Sequence, residues 1–196
     1  VVQSCPSLLL EPASTNLIPY SEDFSNAAWT KTGASVVSDA TTSPDGSLNA
    51  DKLVEDTSTG NHWVYQNLTT TSIPYSISVF AKSSSRDWIS LMLTDSSSVD
   101  RHAWFNVKDG YIGTQQSGIT AKIEQMSNGF YKCSATIANS RNNANAYPSI
   151  KLATNDNVTV YTGDGTSGVY IWGAQIEALS YATSYIPNSG QSAGVT

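Results

Sequence analysis

Aromatic side chains are the residues of this sequence whose type and spacing best suit ligand recognition, and the chain has five Trp and ten Tyr. In segments 87–94 and 101–108, aliphatic residues alternate with a second set that must face the opposite side, and this set includes two Trp and one His. Flat rings beside hydrogen-bonding groups suit a sugar, which presents C–H faces as well as hydroxyls. The sequence therefore predicts a carbohydrate-binding platform formed by Trp63, Tyr65, Trp88, Arg101, His102 and Trp104.

The same residues have a structural interpretation. An outward ring can be covered by another segment or can pack against a neighbouring subunit, because apolar patches mark protein interfaces as well as ligand sites. This interpretation is favoured for Trp104, and for Arg101 the alternative is a solvated turn residue. A polar loop that carries Tyr147 is the next candidate for the site. Both interpretations stay open for Trp63, Tyr65 and Trp88.

Groups suited to catalysis are sparse. The two histidines, His62 and His102, are far apart, and no nucleophile motif such as G-x-S-x-G is present. A glycosidase needs two carboxylates that face each other across a cleft. Most acidic residues here lie in turn-like dipeptides instead, where their side chains bond to the backbone. The sequence therefore predicts that the domain is not an enzyme, with a polysaccharide depolymerase as the enzymatic alternative.

Oxygen-bearing side chains towards the two ends of the chain suit a hard cation. The His and Cys residues do not have the spacing of zinc ligands. Glu22 and Asp23, together with Gln175 and Glu177, supply the oxygen ligands that Ca²⁺ requires if the terminal strands pair. The alternative is that Glu22 and Asp23 solvate a turn. Apart from this one structural calcium, the sequence predicts no cofactor.

The elements that must position these side chains are β-strands. Period-2 alternation recurs along the chain, for example in segments 75–82, 87–94 and 101–108, and no window shows sustained helical periodicity. Many short strands imply two packed antiparallel sheets, hence an all-β, antiparallel β-sandwich of the jelly-roll type. The chain has four dipeptides that accept positive φ in tight turns, and three of them separate predicted strands at hairpin distance. They are Asp45-Gly46, Asp109-Gly110, Asn128-Gly129 and Asp164-Gly165.

The chain divides into one domain and two ends. Residues 1–14 are interpreted as a leader or linker from a preceding region, residues 15–188 as a single jelly-roll domain, and the Gly/Ser-rich residues 189–196 as a C-terminal linker. The formal net charge is −6 with only ten Lys and Arg, which argues against nucleic acid as a partner. No apolar run reaches the roughly 20 residues of a membrane span, so no membrane insertion is expected.

Several motifs resemble a domain that is common in bacteriophage tail-fibre and virion-associated proteins, over roughly residues 8 to 190. They are LLLEP at 8–12, TNL at 15–17, YSEDFSNAAW at 20–29, AWFNV at 103–107, NGFYKC at 128–133, YTGDGTSG at 161–168, YIWGAQIE at 170–177 and ATSYIP at 182–187. The resemblance implies a jelly roll like those of carbohydrate-binding modules and concanavalin-like lectins. It fixes no ligand and assigns no ligand-contacting residue.

These observations predict a non-catalytic carbohydrate-binding domain of a phage fibre or of a secreted polysaccharide-active protein. Its partner would be a polysaccharide or cell-surface glycan, and its location the virion surface or the extracellular space. The first alternative is a structural or oligomerisation domain of a phage tail or head fibre, which would form a homo-oligomer through its parent fibre. The second alternative is the polysaccharide depolymerase.

Overall fold

The computed structural model describes residues 11, 13–191 and 194–196. Within these residues the chain forms sixteen β-strands and one 3-10 turn, Ser127–Gly129. The strands are β1 (Thr30–Thr32), β2 (Ala34–Thr42), β3 (Leu48–Glu55), β4 (Thr59–Gly60), β5 (Trp63–Tyr65), β6 (Leu68–Thr70), β7 (Tyr75–Ser83), β8 (Trp88–Thr94), β9 (Asp100–Asn106), β10 (Tyr111–Gln115), β11 (Ile119–Gln125), β12 (Tyr131–Ile137), β13 (Asn143–Ala146), β14 (Ser149–Ala153), β15 (Tyr161–Thr162) and β16 (Gly168–Glu177).

Two six-stranded antiparallel sheets form the body of the domain. The first sheet has the strand order β1-β5-β14-β8-β9-β10, and the second has the order β11-β12-β7-β16-β3-β2. Two short two-stranded ribbons, β6 with β13 and β4 with β15, lie outside them. The prediction of an all-β antiparallel sandwich of the jelly-roll type is confirmed.

The core lies between the two sheets and consists of the rows that the period-2 alternation predicts. Phe24 and Trp29, whose ring centroids are 4.7 Å apart, add aromatic side chains from the segment before β1. Full burial of each large apolar side chain stabilises the fold by about 1.5–3 kcal/mol. The alternating core residues include Tyr75, Ile77, Val79 and Ala81 on β7, Ile89, Leu91 and Leu93 on β8, and Ala103 and Phe105 on β9.

Turn chemistry fixes the connections between the strands. The glycines of all four predicted turn dipeptides have positive φ, as side-chain-free residues in tight turns can: Gly46 at 94°, Gly110 at 74°, Gly129 at 75° and Gly165 at 80°. Strands β8 and β9 form the predicted hairpin, in which Trp88 lies opposite Asn106. This hairpin supplies two neighbouring strands of the first sheet and carries most of the predicted platform.

The two ends of the described chain lie side by side. The backbone N–H of Asn16 donates to the carbonyl of Val195 at 2.8 Å, and the hydroxyl of Ser14 donates to Glu177 Oε1 at 2.5 Å. Most of the predicted leader lies outside the described residues, so the division into leader, domain and linker stays a prediction. In the part of the chain that the structure describes, no helix is long and apolar enough to cross a membrane.

Candidate functional site

Two rows of side chains cross the outer face of the first sheet, the side away from the core. They point outwards because the residues between them, such as Val64, Ile89 and Ile150, face the core. The structure therefore brings five of the six predicted platform residues to one face. The first row is Trp63, Lys151, Ser90 and Trp104, and the second row is Tyr65, Ser149, Met92 and His102.

The outer face of the second sheet is closed over β7 and β16. Tyr185, in the segment after β16, lies 5.6 Å from the ring of Phe80 and 4.9 Å from that of Trp172, measured between ring centroids. Trp172 is only 5% exposed as a result. On the outer face of the second sheet Tyr170 is partly exposed, whereas the first sheet brings three partly exposed aromatic rings together.

Trp88 and Trp104 are not the exposed rings that the alternation predicted. Their side is the expected one, but Trp88 is 8% exposed and Trp104 is 3% exposed. The two rings form a small apolar cluster with Ala153, and Tyr111 contacts Trp88 edge-on with centroids 5.5 Å apart. These two tryptophans therefore support the face from beneath and do not present flat surfaces to a ligand.

A distant loop closes over this cluster. The carboxylate of Asp156 accepts hydrogen bonds from the backbone N–H of Thr114 at 2.7 Å and from its hydroxyl at 2.9 Å. The loop and the indole lie so close to β10 that a Cβ at Gly113 would overlap both Asp156 and Trp88. This loop therefore helps to bury Trp88, a ring that the strand pattern alone assigns to solvent.

Three half-buried aromatic rings form a cluster at the other end of the face. The ring centroids of Trp63 and Tyr65 are 4.8 Å apart, and Tyr147 stands edge-on to both at 6.2 Å and 6.1 Å. Trp63 and Tyr65 share a side because they are two residues apart on β5, whereas Tyr147 comes from the loop before β14. We call these three residues the aromatic cluster.

Lys151 is a member of the face that the sequence analysis did not identify. It is 6% exposed, and its ammonium lies 4.3 Å from the centroid of the Trp63 ring. Burial lowers the pKa of Lys151, while the charge of Asp100 opposes that shift. A sequence signal existed, since Ile150 and Leu152 face the core and strand alternation therefore assigns Lys151 to the outer side.

Arg101 is not part of the face. It lies opposite Leu93, which belongs to the core-facing row, so its side chain leaves the sheet on the other side from its neighbour His102. Its guanidinium donates to Asp95 Oδ2 at 2.7 Å, and this ion pair holds the β8–β9 turn. The prediction that Arg101 stands beside the platform is therefore wrong, because adjacent strand residues face opposite ways.

His102 is held neutral on the face. Its ring stacks on Trp104 with centroids 5.1 Å apart, and its Nδ1 lies 3.0 Å from the hydroxyl of Ser90. Burial, followed by the charge of Lys151, lowers the pKa of His102 to about 4. The imidazole is therefore an uncharged hydrogen-bonding group at neutral pH.

This pKa predicts a pH dependence of stability. His102 takes up a proton near pH 6.5 in the unfolded chain but only near pH 4 in the folded one, so protons favour unfolding in that window. We expect the wild type to lose more stability than His102→Gln when the pH falls from 7 to 5. Urea denaturation of both proteins at the two pH values measures this, and equal losses would contradict it.

Two polar atoms of the face are buried without a hydrogen-bond partner in the described structure, the indole Nε1 of Trp104 and the hydroxyl of Ser149. A buried polar group without a partner costs about 1–3 kcal/mol. The face therefore combines open aromatic rings with unused hydrogen-bonding capacity.

The four predicted calcium ligands form two pairs with different neighbours. Glu22 and Asp23 line a cleft of about 510 Å³, whereas Gln175 and Glu177 do not. Gln175 bonds the backbone of Ser184, and Glu177 accepts from the hydroxyl of Thr183. Among the described residues no group of three or more His, Cys, Asp or Glu side chains is arranged to hold a metal ion. The structural calcium stays a prediction.

Comparison with known proteins gives a structural similarity but no sequence match. The sequence matches no protein-family model, and no curated protein matches it significantly. The fold is similar to the enzymatically active domain of tailspike protein 4 of Bacteriophage CBA120, with a TM-score of 0.48 and 12% sequence identity. The similarity covers 82% of this chain and 21% of that one, so this chain spans about a fifth of the length of its neighbour.

One prediction is corrected by this neighbour. The sequence predicts that the domain is not an enzyme, and the neighbour is described as an enzymatically active domain. The prediction is contradicted and is withdrawn. On and beside the outer face of the first sheet, the carboxylates of Asp100 and Asp156 already accept hydrogen bonds. Asp100 accepts from Thr94 at 2.7 Å and Asp156 accepts from Thr114.

Proposed function

We propose that the domain binds a polysaccharide on the outer face of the first sheet. The observation that carries the proposal is the aromatic cluster, in which Trp63, Tyr65 and Tyr147 lie within 4.8–6.2 Å of one another and are only half-buried. Aromatic rings with an accessible surface stack on the C–H face of a sugar, while neighbouring polar groups bond its hydroxyls. His102 is partly exposed and supplies such a polar group, while the buried hydroxyl of Ser149 and indole N–H of Trp104 lie beneath the face without partners.

The shape of the face suits an extended ligand. Neighbouring strands are about 4.8 Å apart, so the rows from β5 to β9 extend over roughly 14 Å. The aromatic cluster occupies the β5 end of these rows and His102 occupies the β9 end. A chain of several sugar units can therefore contact the partly exposed rings at the β5 end and the partly exposed His102 at the β9 end.

We further propose that the domain belongs to a phage fibre or tailspike. The motifs that resemble phage tail-fibre and virion-associated domains support this origin, and the structural neighbour is itself described as a phage tailspike domain. A place on the virion surface, with a bacterial surface polysaccharide as the partner, follows from the same proposal.

Trp63→Ala is expected to weaken binding by about 1–3 kcal/mol, which is roughly 5- to 150-fold in affinity, because one stacked ring is lost. A polysaccharide array selects the ligand, and titration calorimetry on the strongest hit measures the change. Tyr181→Ala is the control, since Tyr181 is 47% exposed and lies after β16, outside this face. Thermal melts report whether each variant is folded. Unchanged affinity in folded Trp63→Ala and Tyr147→Ala would rule out the aromatic cluster as the site.

The same array separates the alternatives. Cleavage of a bound polysaccharide, seen as new reducing ends or unsaturated products, would establish the depolymerase, and the described activity of the neighbour makes this assay necessary. An obligate oligomer by light scattering, with no polysaccharide bound, would instead establish the assembly domain.

A further inference from the structure

Lys151 is a cation without a counter-charge. It forms no ion pair among the described residues, whose ion-paired Lys and Arg side chains are Arg86, Arg101, Lys108 and Lys122. Its aliphatic stem is buried and its ammonium rests against the ring of Trp63. Removing an ammonium from water without a carboxylate partner is costly, and a cation–π contact offsets only part of that cost.

The surroundings of Lys151 do not neutralise it. The titratable groups that interact with its charge are His102, which is uncharged at neutral pH, and Asp100, which accepts a hydrogen bond from the hydroxyl of Thr94 at 2.7 Å. Asp100 lies in the row beyond His102, opposite Thr94 on β8. The ammonium therefore keeps unused capacity to bind an anion.

The two unpartnered polar atoms belong to side chains on the same face of the sheet as this ammonium. Ser149 is two residues before Lys151 on β14, so both side chains leave the same side of the strand. Trp104 lies in the same row as Lys151, with Ser90 between them. Ser149 is 0% exposed and Trp104 is 3% exposed, and both atoms can donate a hydrogen bond. One cation and two free donors on one face form a site for a negatively charged acceptor.

We propose that the polysaccharide bound by this face is acidic, and that Lys151 binds a carboxylate of one of its sugars, such as a uronic acid. This inference rests on the proposed function. The carboxylate would lie against the edge of Trp63, with the rest of the sugar on the aromatic cluster. The chain carries a net charge of −6, so a general attraction for polyanions does not explain such binding. Charges more than about 8 Å away are largely screened at physiological salt. The charge of Lys151 therefore determines whether a carboxylate binds at this position.

The test compares one polysaccharide with and without its charge. Polygalacturonate and hyaluronan are the acidic probes, and methyl-esterified polygalacturonate and carboxyl-reduced hyaluronan are their neutral forms. We expect the wild type to bind at least one acidic probe, and to bind its neutral form about 10- to 100-fold more weakly, as the loss of a charge-assisted hydrogen bond predicts. Lys151→Met should lose this preference while keeping the stem that packs on Trp63.

The control is Lys122→Met, which makes the same charge change on β11 of the second sheet, where Lys122 is 69% exposed. It should bind the acidic probe like the wild type, and thermal melts should show both variants folded. If Lys151→Met unfolds, Lys151→Arg and Ser149→Ala provide the comparison, with the charge kept in the first and a donor removed in the second.

Each other outcome contradicts the inference. Tight binding of neutral polysaccharides only would overturn it and leave the proposed function standing. Binding of dextran sulfate without either uronate would show that the site takes another anion. An unchanged preference in Lys151→Met would place the anion elsewhere, and no binding of any array member would overturn the proposed function as well.

Discussion

Trp88→Ala is expected to destabilise the domain by about 3–5 kcal/mol, because it leaves a large cavity that the surrounding strands cannot fill. The ring is 8% exposed and is packed against Trp104 and Ala153 beneath the loop of Asp156. For a domain of this size the melting temperature should fall by roughly 6–20 °C. Urea denaturation and thermal melts measure both quantities.

Tyr111→Ala is the matched control for this prediction. Tyr111 contacts the same indole edge-on but is 47% exposed, so its removal opens the cluster to water without leaving a closed cavity. We expect a cost of about 1 kcal/mol, the value of an aromatic pair. A Trp88→Ala variant as stable as Tyr111→Ala would mean that the indole is not enclosed, and Trp88 would again be a candidate for sugar stacking.

The strand pattern predicts the side on which a residue lies but not what covers it. Ile89, Leu91 and Leu93 identify the core side of β8, and the pairing of β8 with β9 follows from a short turn between them. These features are local, since they depend on alternation and on neighbouring strands. The structure places Trp88 on the outer side, as the alternation predicts, for the same reason.

The covering of Trp88 depends on contacts between distant parts of the sequence. Asp156 accepts hydrogen bonds from Thr114, 42 residues away, and this contact holds the loop against the strand beside the indole. Tyr147 joins Trp63 because β14 pairs with β5, a pairing that skips eight intervening strands in chain order. Strand order between distant segments is set by the packing of the whole sandwich, so neither arrangement follows from the alternation in one segment.

Lys151 shows a different reason for a missed residue. Alternation places it on the outer side, where a lysine is ordinarily solvated. The residue type alone therefore gives no indication that the side chain is buried. The structure places it between Trp63 and Ser90 in the middle of a sheet, which makes its charge unusual. An outward lysine on a central strand that is flanked by aromatic residues is therefore a pattern worth testing in other all-β sequences.

Arg86→Met is expected to destabilise the domain by about 3–5 kcal/mol at neutral pH, because it leaves a buried charge without its partner. The carboxylate of Glu55 is fully buried and accepts two hydrogen bonds from Arg86, at 2.6 Å and 2.9 Å. Tyr161 and the backbone N–H of Asp164 each add one more at 2.9 Å. This network joins β3 to the β7–β8 turn, to β15 and to the segment after β15.

The loss should depend on pH in a defined direction. Burial opposes ionisation of Glu55, but hydrogen bonds from Arg86, Asp164 and Tyr161 and the charge of Arg86 lower its pKa below the ordinary 4.5. In the wild type the carboxylate therefore contributes stability above pH 4.5 that is lost as the pH falls through the lowered pKa. Without the guanidinium, burial should raise the pKa above 4.5, so the penalty in Arg86→Met is complete at pH 7 and relieved by protonation as the pH approaches 4.

Urea denaturation of wild type and Arg86→Met at pH 7 and pH 4 therefore gives a large difference in unfolding free energy at pH 7 and a smaller one at pH 4. Lys108→Met is the control, because its ion pair with Asp87 spans 3.5 Å between side chains that are 62% and 38% exposed. Such a surface pair contributes about 0–1 kcal/mol, so this variant should stay close to the wild type at both pH values. A difference for Arg86→Met that is equally large at pH 4 would show that the loss comes from packing of the arginine stem and not from the uncompensated charge of Glu55.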